Sequence, residues 1–206
     1  MIHPIETGMK LLKAASSVFG PRPAYHETDL YRCIWILVGE QVDRKSLSRE
    51  LRIGEGSTRS VLRQLVAAGL VENRKRGALL SGEGAKFAAE LKAAVEAAGK
   101  IEKSDLTFQQ TAFALRMRKC SHRIRSGVEQ RDAAIRAGAT GATVLCMREG
   151  KLVFPDSGYA VAEAQKNLFA EKLGGLGEGD AIILCYGENE LFRERGAWSA
   201  ALKLVK

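Results

Sequence analysis

Residues 44–80 read RKSLSRELRIGEGSTRSVLRQLVAAGLVENRKRGALL, and this stretch decides the fold of the N-terminal half. Leu47 and Leu51 stand four apart, on one face of a short helix. Ile53-Gly54 breaks that pattern. A second helix can start at Glu55-Gly56-Ser57, with Gly56 or Ser57 as N-cap, and run to about Ala68. Thr58, Val61, Leu62 and Leu65 form its core face, while Ser57, Arg59, Ser60 and Arg63 point elsewhere. Gly69 supplies the stop expected just past a helix. Leu70-Val71-Glu72 then begins a strand, Asn73 to Gly77 turns with Arg74, Lys75 and Arg76 at the tip, and Ala78-Leu79-Leu80 returns. Two short helices joined by a glycine-containing turn and followed by a basic hairpin give the order of a winged helix-turn-helix.

That order implies a polyanionic partner. Ser57, Arg59, Ser60 and Arg63, at the front of the second helix, can reach base edges and phosphates in a major groove. Arg74, Lys75 and Arg76 can follow the backbone or enter the minor groove. Between positions 44 and 76 nine Lys/Arg stand against three acids, a local +6 within a chain total of +8. Charge concentrated where the motif would meet nucleic acid favours double-stranded DNA as partner. A winged helix that contacts protein or RNA and has no operator of its own fits the same pattern.

At 206 residues, with 46% hydrophobic and 27% charged residues, the chain suits one large domain or two small ones. Cys33, Cys120, Cys146 and Cys185 are widely spaced, which suggests buried thiols in a reducing cytoplasm. Cys120 and His122 form a C-x-H pair with no further ligands at useful spacing, so no metal is expected. No run of 18 apolar residues exists to span a membrane, and the first residues lack a signal-peptide core.

In chain order, Ile5, Met9, Leu12 and Phe19 suggest a short helix in an extension, residues 1–26, ended by Pro21-Arg22-Pro23. Thr28 is a fair N-cap for a helix carrying Leu30, Ile34 and Leu37. After the hairpin, Ser81 can cap an alanine-rich helix reaching about Ala98, which could pack against a second copy or against the first helix of its own subunit. A polar break at Gly99 to Asp105 then separates a winged helix domain, 27–100, from a second domain, 106–206. There, residues 111–117 alternate as a half-buried strand, and Ser126-x-x-Glu129 reads as a capping box. That box opens a helix whose apolar face carries Val128 and Ile135 with Arg131 and Asp132 between them. Residues 142–147 and 151–154 read as a hairpin, 161–169 as a helix, 181–186 as a buried strand, and the C-terminus as a last helix. The fold expected is α+β: a winged helix-turn-helix followed by a small α/β sandwich.

Arg116, Arg118, Arg123 and Arg125, with Arg131, could bind an anionic small-molecule effector. The glycine turns match neither a P-loop nor a dinucleotide fingerprint, and no catalytic triad or nucleophile elbow is visible. Neither catalysis nor a cofactor is therefore expected. The segments GEGSTRSVLRQL, RKRG, RDAAIRAGATGATVL and KLVFP together resemble an uncharacterised archaeal family that pairs a winged helix with an α/β domain of unknown function. The resemblance covers Thr28 to the C-terminus and implies a cytoplasmic transcription regulator; it brings no catalytic residues. Regulators of this build read paired sites, so a homodimer is expected.

Overall fold

A computed structural model describes residues 25–205, so the helix expected within residues 1–20 lies outside the described residues. The chain is of mixed helix and sheet, α+β, and divides into two compact units, Met1–Leu91 and Lys92–Lys206.

The first unit contains α1 (Thr28–Ile36), α2 (Arg44–Leu51), α3 (Glu55–Ala67), β1 (Val71–Arg74), β2 (Gly77–Leu80) and most of α4 (Gly82–Ala94). Leu30, Ile34, Leu47, Leu51, Val61, Leu65 and Leu70 are buried, so the apolar spacing read from the sequence does mark the core. Tyr31 meets Phe87 edge-on with ring centroids 6.1 Å apart, which seats α4 against α1. Arg32 bonds the Asp29 carboxylate at 2.8 Å and the Leu51 carbonyl at 3.0 Å, fixing α1 to the end of α2.

The helix starts differ from expectation in their caps. Glu27 holds the N-cap position of α1, and Thr28 is buried inside the helix. Gly54, not Gly56 or Ser57, caps α3, because the Thr58 amide and hydroxyl both donate to the Gly54 carbonyl at 2.9 and 3.1 Å. The hairpin pairs Val71 with Leu80 and Arg74 with Gly77, leaving Lys75-Arg76 as a two-residue turn. Val42 adds a third strand position, exchanging backbone bonds of 3.0 and 2.9 Å with Ala78.

The alanine-rich helix ends at Ala94 rather than Ala98, and Val95–Ile101 is strand β3. Alanine favours helix, but pairing along β4 (Ala112–Met117) overrides that weak preference. The division after Leu91 therefore precedes β3, ahead of the polar break at 99–105.

The second unit continues with α5 (Val128–Arg136), β5 (Gly141–Arg148), β6 (Lys151–Val153), α6 (Glu163–Lys172), β7 (Ala181–Tyr186) and α7 (Glu190–Val205). The strands form one antiparallel sheet in the order β3-β4-β7-β5-β6. The β5–β6 hairpin is as expected, whereas β3 was not foreseen as part of the sheet. β7 is entered last and slots between β4 and β5, which explains why all six of its residues are buried. On one face Ala112, Ala114, Leu145, Met147, Ile182 and Leu184 pack with Phe169 and Leu173 from α6 and its end. On the other face α5 lies against α7, with Gly196 of α7 close to Ala134 and Ala139.

That close approach inverts the expected face of α5. Gln130, Ala133 and Ala134 are buried, while Val128 and Ile135 are 44% and 46% exposed. Small side chains let two helices approach, so the larger ones turn outward. Gly127, with φ 80°, holds the N-cap position that the capping box assigned to Ser126. A Cβ there would press on the Val144 side chain at 3.0 Å.

Candidate nucleic-acid interface

In the first unit, the N-terminus of α2, one side of α3 and the hairpin enclose a cleft of about 520 Å³. Its walls carry Arg44 from α2, Arg59 and Arg63 from α3, and Arg74, Lys75 and Arg76 from the hairpin. Asp43 is the one acid among the lining residues. Arg59, Leu62, Arg63 and Val66 recur at helical spacing, so one stripe of α3 faces the cleft while Thr58, Val61 and Leu65 face the core. The structure thus brings five of the seven residues expected to contact DNA into one concavity.

The two serines behave differently. Ser57 lies two residues before Arg59, about 200° around the helix, and is half-buried on the far side of α3. Ser60 donates its hydroxyl to the Gly56 carbonyl at 3.2 Å and lies outside the cleft lining. Sequence reasoning had omitted Arg44 and Asp43. The signal for both was an aspartate ahead of a basic helix start: Asp43 caps α2 by accepting the amides of Lys45 and Ser46 at 2.9 and 3.1 Å. Hydrogen bonds from Ser46, aided by Lys45 and nearby Arg49, hold the Asp43 carboxyl below its ordinary range.

The cleft cations are held loosely. Arg44 reaches Glu55 at 3.5 Å and Arg74 makes a forked contact with Glu72 at 3.1 and 2.7 Å, all on exposed side chains. Exposed ion pairs contribute roughly 0–1 kcal/mol each, so an incoming phosphate can replace the carboxylates at small cost.

Of the arginines expected to form an effector site in the second unit, Arg116, Arg118, Arg123 and Arg131 each have a partner of their own. Arg116 is 8% exposed and structural: Nε and a terminal nitrogen hold Asp180 at 2.9 and 2.8 Å. Its other terminal nitrogen donates to the carbonyls of Leu173 and Gly174 at 3.2 and 2.9 Å. Asp180 also accepts the amides of Lys119 and Gly177. A half-buried strand had been expected at 111–117; β4 lies inside the sheet, and the Arg116 head is drawn in by Asp180. Arg118 pairs with Glu96 at 3.0 Å, and Arg123 donates to Leu204 at 2.8 Å near the end of α7. Arg131 reaches its own neighbour Asp132 at 3.7 Å, and Arg125 is exposed.

Cys33, Cys120, Cys146 and Cys185 are free and buried. Burial pushes the thiols of Cys33 and Cys120 up to about 12. Among the described residues no group of three His, Cys, Asp or Glu converges as a metal cage, and no helix is long and apolar enough to cross a membrane.

The first unit is thus a helical module with a hairpin and a basic cleft, and the second an antiparallel sheet with helices on both faces. Residues 30–86 match the PH0730-like N-terminal domain, and residues 108–204 match a domain of unknown function, DUF4443. The chain is similar to the solved structure of hypothetical protein PH0730 from Pyrococcus horikoshii OT3, with 25% identity and a TM-score of 0.72 over 87% of this chain and 92% of that one. No curated protein matches the chain.

Proposed function

We propose that the first unit is a winged helix that binds double-stranded DNA, and that the protein is a transcription regulator. The observation carrying this reading is the cleft in which six cations from α2, α3 and the hairpin face a single acid. The order α1, α2, α3, hairpin, with Val42 bridged to Ala78, agrees with a winged helix whose wing is β1–β2. In this arrangement the exposed front of α3 enters the major groove. Arg59 and Arg63 project from it toward the wing, one onto a base edge and the other onto phosphate. Lys75 and Arg76 at the turn reach the neighbouring stretch of backbone, and the cleft between helix and wing admits the phosphates that connect the two.

The reading assigns no ligand to the arginines of the second unit. Nor does it assign the protein a catalytic role. The experiment is fluorescence anisotropy on a duplex selected from a random library, with duplex RNA of the same sequence as comparison. Arg59→Ala and Arg63→Ala should each weaken the selected DNA, and the one that reads a base should cost about 1–3 kcal/mol and relax preference at one position. Equal affinity of both variants and wild type would remove α3 from the interface. Preference for the RNA duplex would transfer the site to RNA.

A further inference from the structure

From residue 118 to residue 125, the loop between β4 and α5 exposes only basic side chains. Arg118, Lys119, His122, Arg123 and Arg125 are exposed, while Cys120, Ser121 and Ile124 are buried. The loop is tied down at its buried positions. The Ser121 amide donates to the Gly179 carbonyl at 2.9 Å, and Arg148 donates to the Ser121 and Ile124 carbonyls at 3.4 and 3.2 Å. Arg123 donates to the Leu204 carbonyl at 2.8 Å. Lys119 stands in the left-handed region, φ 44°, and its amide donates to the buried Asp180 carboxylate at 3.1 Å. The cations thus project from a backbone that is already fixed, so a partner need not order the loop on binding.

This loop also holds the charge of its unit. Residues 92–206 carry 18 Lys/Arg and 14 Asp/Glu. The cations at 118, 119, 123 and 125 equal the whole excess, and the other residues balance at 14 of each sign. Little of that charge is cancelled nearby. Arg118 pairs with Glu96 on exposed side chains, and Asp180 is engaged by Arg116. Arg123 and Arg148 donate to carbonyl oxygens, which carry no formal charge. Among the described residues, no carboxylate forms an ion pair with Lys119, Arg123, Arg125 or Arg148. Like charges held together on a fixed loop repel one another, and an anionic partner relieves that repulsion. Exposed cations spread along eight residues suit successive phosphates, the kind of contact that positions a protein on a duplex without reading its sequence.

We infer that the β4–α5 loop is a second DNA-backbone contact, through which the second unit holds phosphates with Lys119, Arg125 and their neighbours. The inference rests on the DNA reading of the first unit for the identity of the polyanion. The second unit then adds affinity along the backbone, while any choice of sequence stays with the first.

The test is the salt dependence of binding of the full chain to a duplex of about 30 base pairs, roughly three turns. Lys119→Gln/Arg125→Gln should lose about one to two units of slope on every duplex sequence. Lys119→Arg/Arg125→Lys, which keeps both charges, should retain the wild-type slope. The Gln exchanges should remove a similar amount when added to Arg74→Ala/Lys75→Ala/Arg76→Ala. A second readout needs no variant: acetylation of Lys119 by acetic anhydride, followed by mass spectrometry, should slow when duplex is present. Lys103, exposed beyond the end of β3 that pairs with Ala112, should be acetylated equally with and without duplex. Unchanged slope in the Gln variant, or equal acetylation of Lys119 with and without duplex, would overturn the inference. If the hairpin variant alone loses slope, the loop contact falls and the winged-helix reading stands. If the loop variant alone loses slope, the loop contact stands and that reading falls. A wild type that binds no duplex overturns both.

Discussion

Asp180 and Arg116 show how far a residue's chemistry depends on its surroundings. In the sequence Arg116 belongs to a run of cations without an intervening acid, which suggested an anion site. The partner that changes its meaning lies 64 positions away, and no local pattern announces it. Arg116→Ala should leave the buried Asp180 carboxylate without its cation and cost about 3–5 kcal/mol, measured by urea unfolding. A loss under about 1 kcal/mol would mean that the pair is dispensable. The cleft arginines are the opposite case. Arg59 and Arg63 are exposed, and their place on the cleft side of α3 was legible because apolar positions three and four apart fix which side of the helix is left for charge.

Among the elements, α3 and the hairpin were legible because the apolar period changes at Gly69 and a polar, cationic turn follows. β3 was not, because alanine propensity continued the helical pattern that pairing with β4 interrupts. The outward turn of Val128 and Ile135 was hidden for a related reason: Gly196 meets the alanine face of α5 at Ala134, 62 positions earlier in the chain. The base of the hairpin offers a test at this scale. Gly77 has φ 138°, and a Cβ there would collide with the Val42 carbonyl, at the bridge that braces the hairpin. Gly77→Ala should lower stability by about 1–3 kcal/mol in thermal unfolding. Gly56→Ala, inside α3 with nothing within 4 Å of the added methyl, should raise it by about 0.4–1 kcal/mol. A midpoint for Gly77→Ala at or above that of the wild type would mean that the contact between the hairpin and Val42 is not what constrains Gly77.

For the whole molecule, the governing feature is where charge is placed. The chain carries +8, and a local excess of +6 lies between residues 44 and 76, the segment that builds the cleft. Binding that rests on phosphate contacts releases counterions, so log affinity falls with log salt at a slope of about −0.9 per contacted phosphate on duplex DNA. The most direct measurement is therefore the salt dependence of duplex binding, wild type against Arg74→Ala/Lys75→Ala/Arg76→Ala, with circular dichroism confirming that the variant is folded. The triple variant should bind every duplex more weakly and lose between about one and three units of slope. A slope unchanged from wild type, with the variant folded, would contradict the assignment of the hairpin and its cleft to DNA.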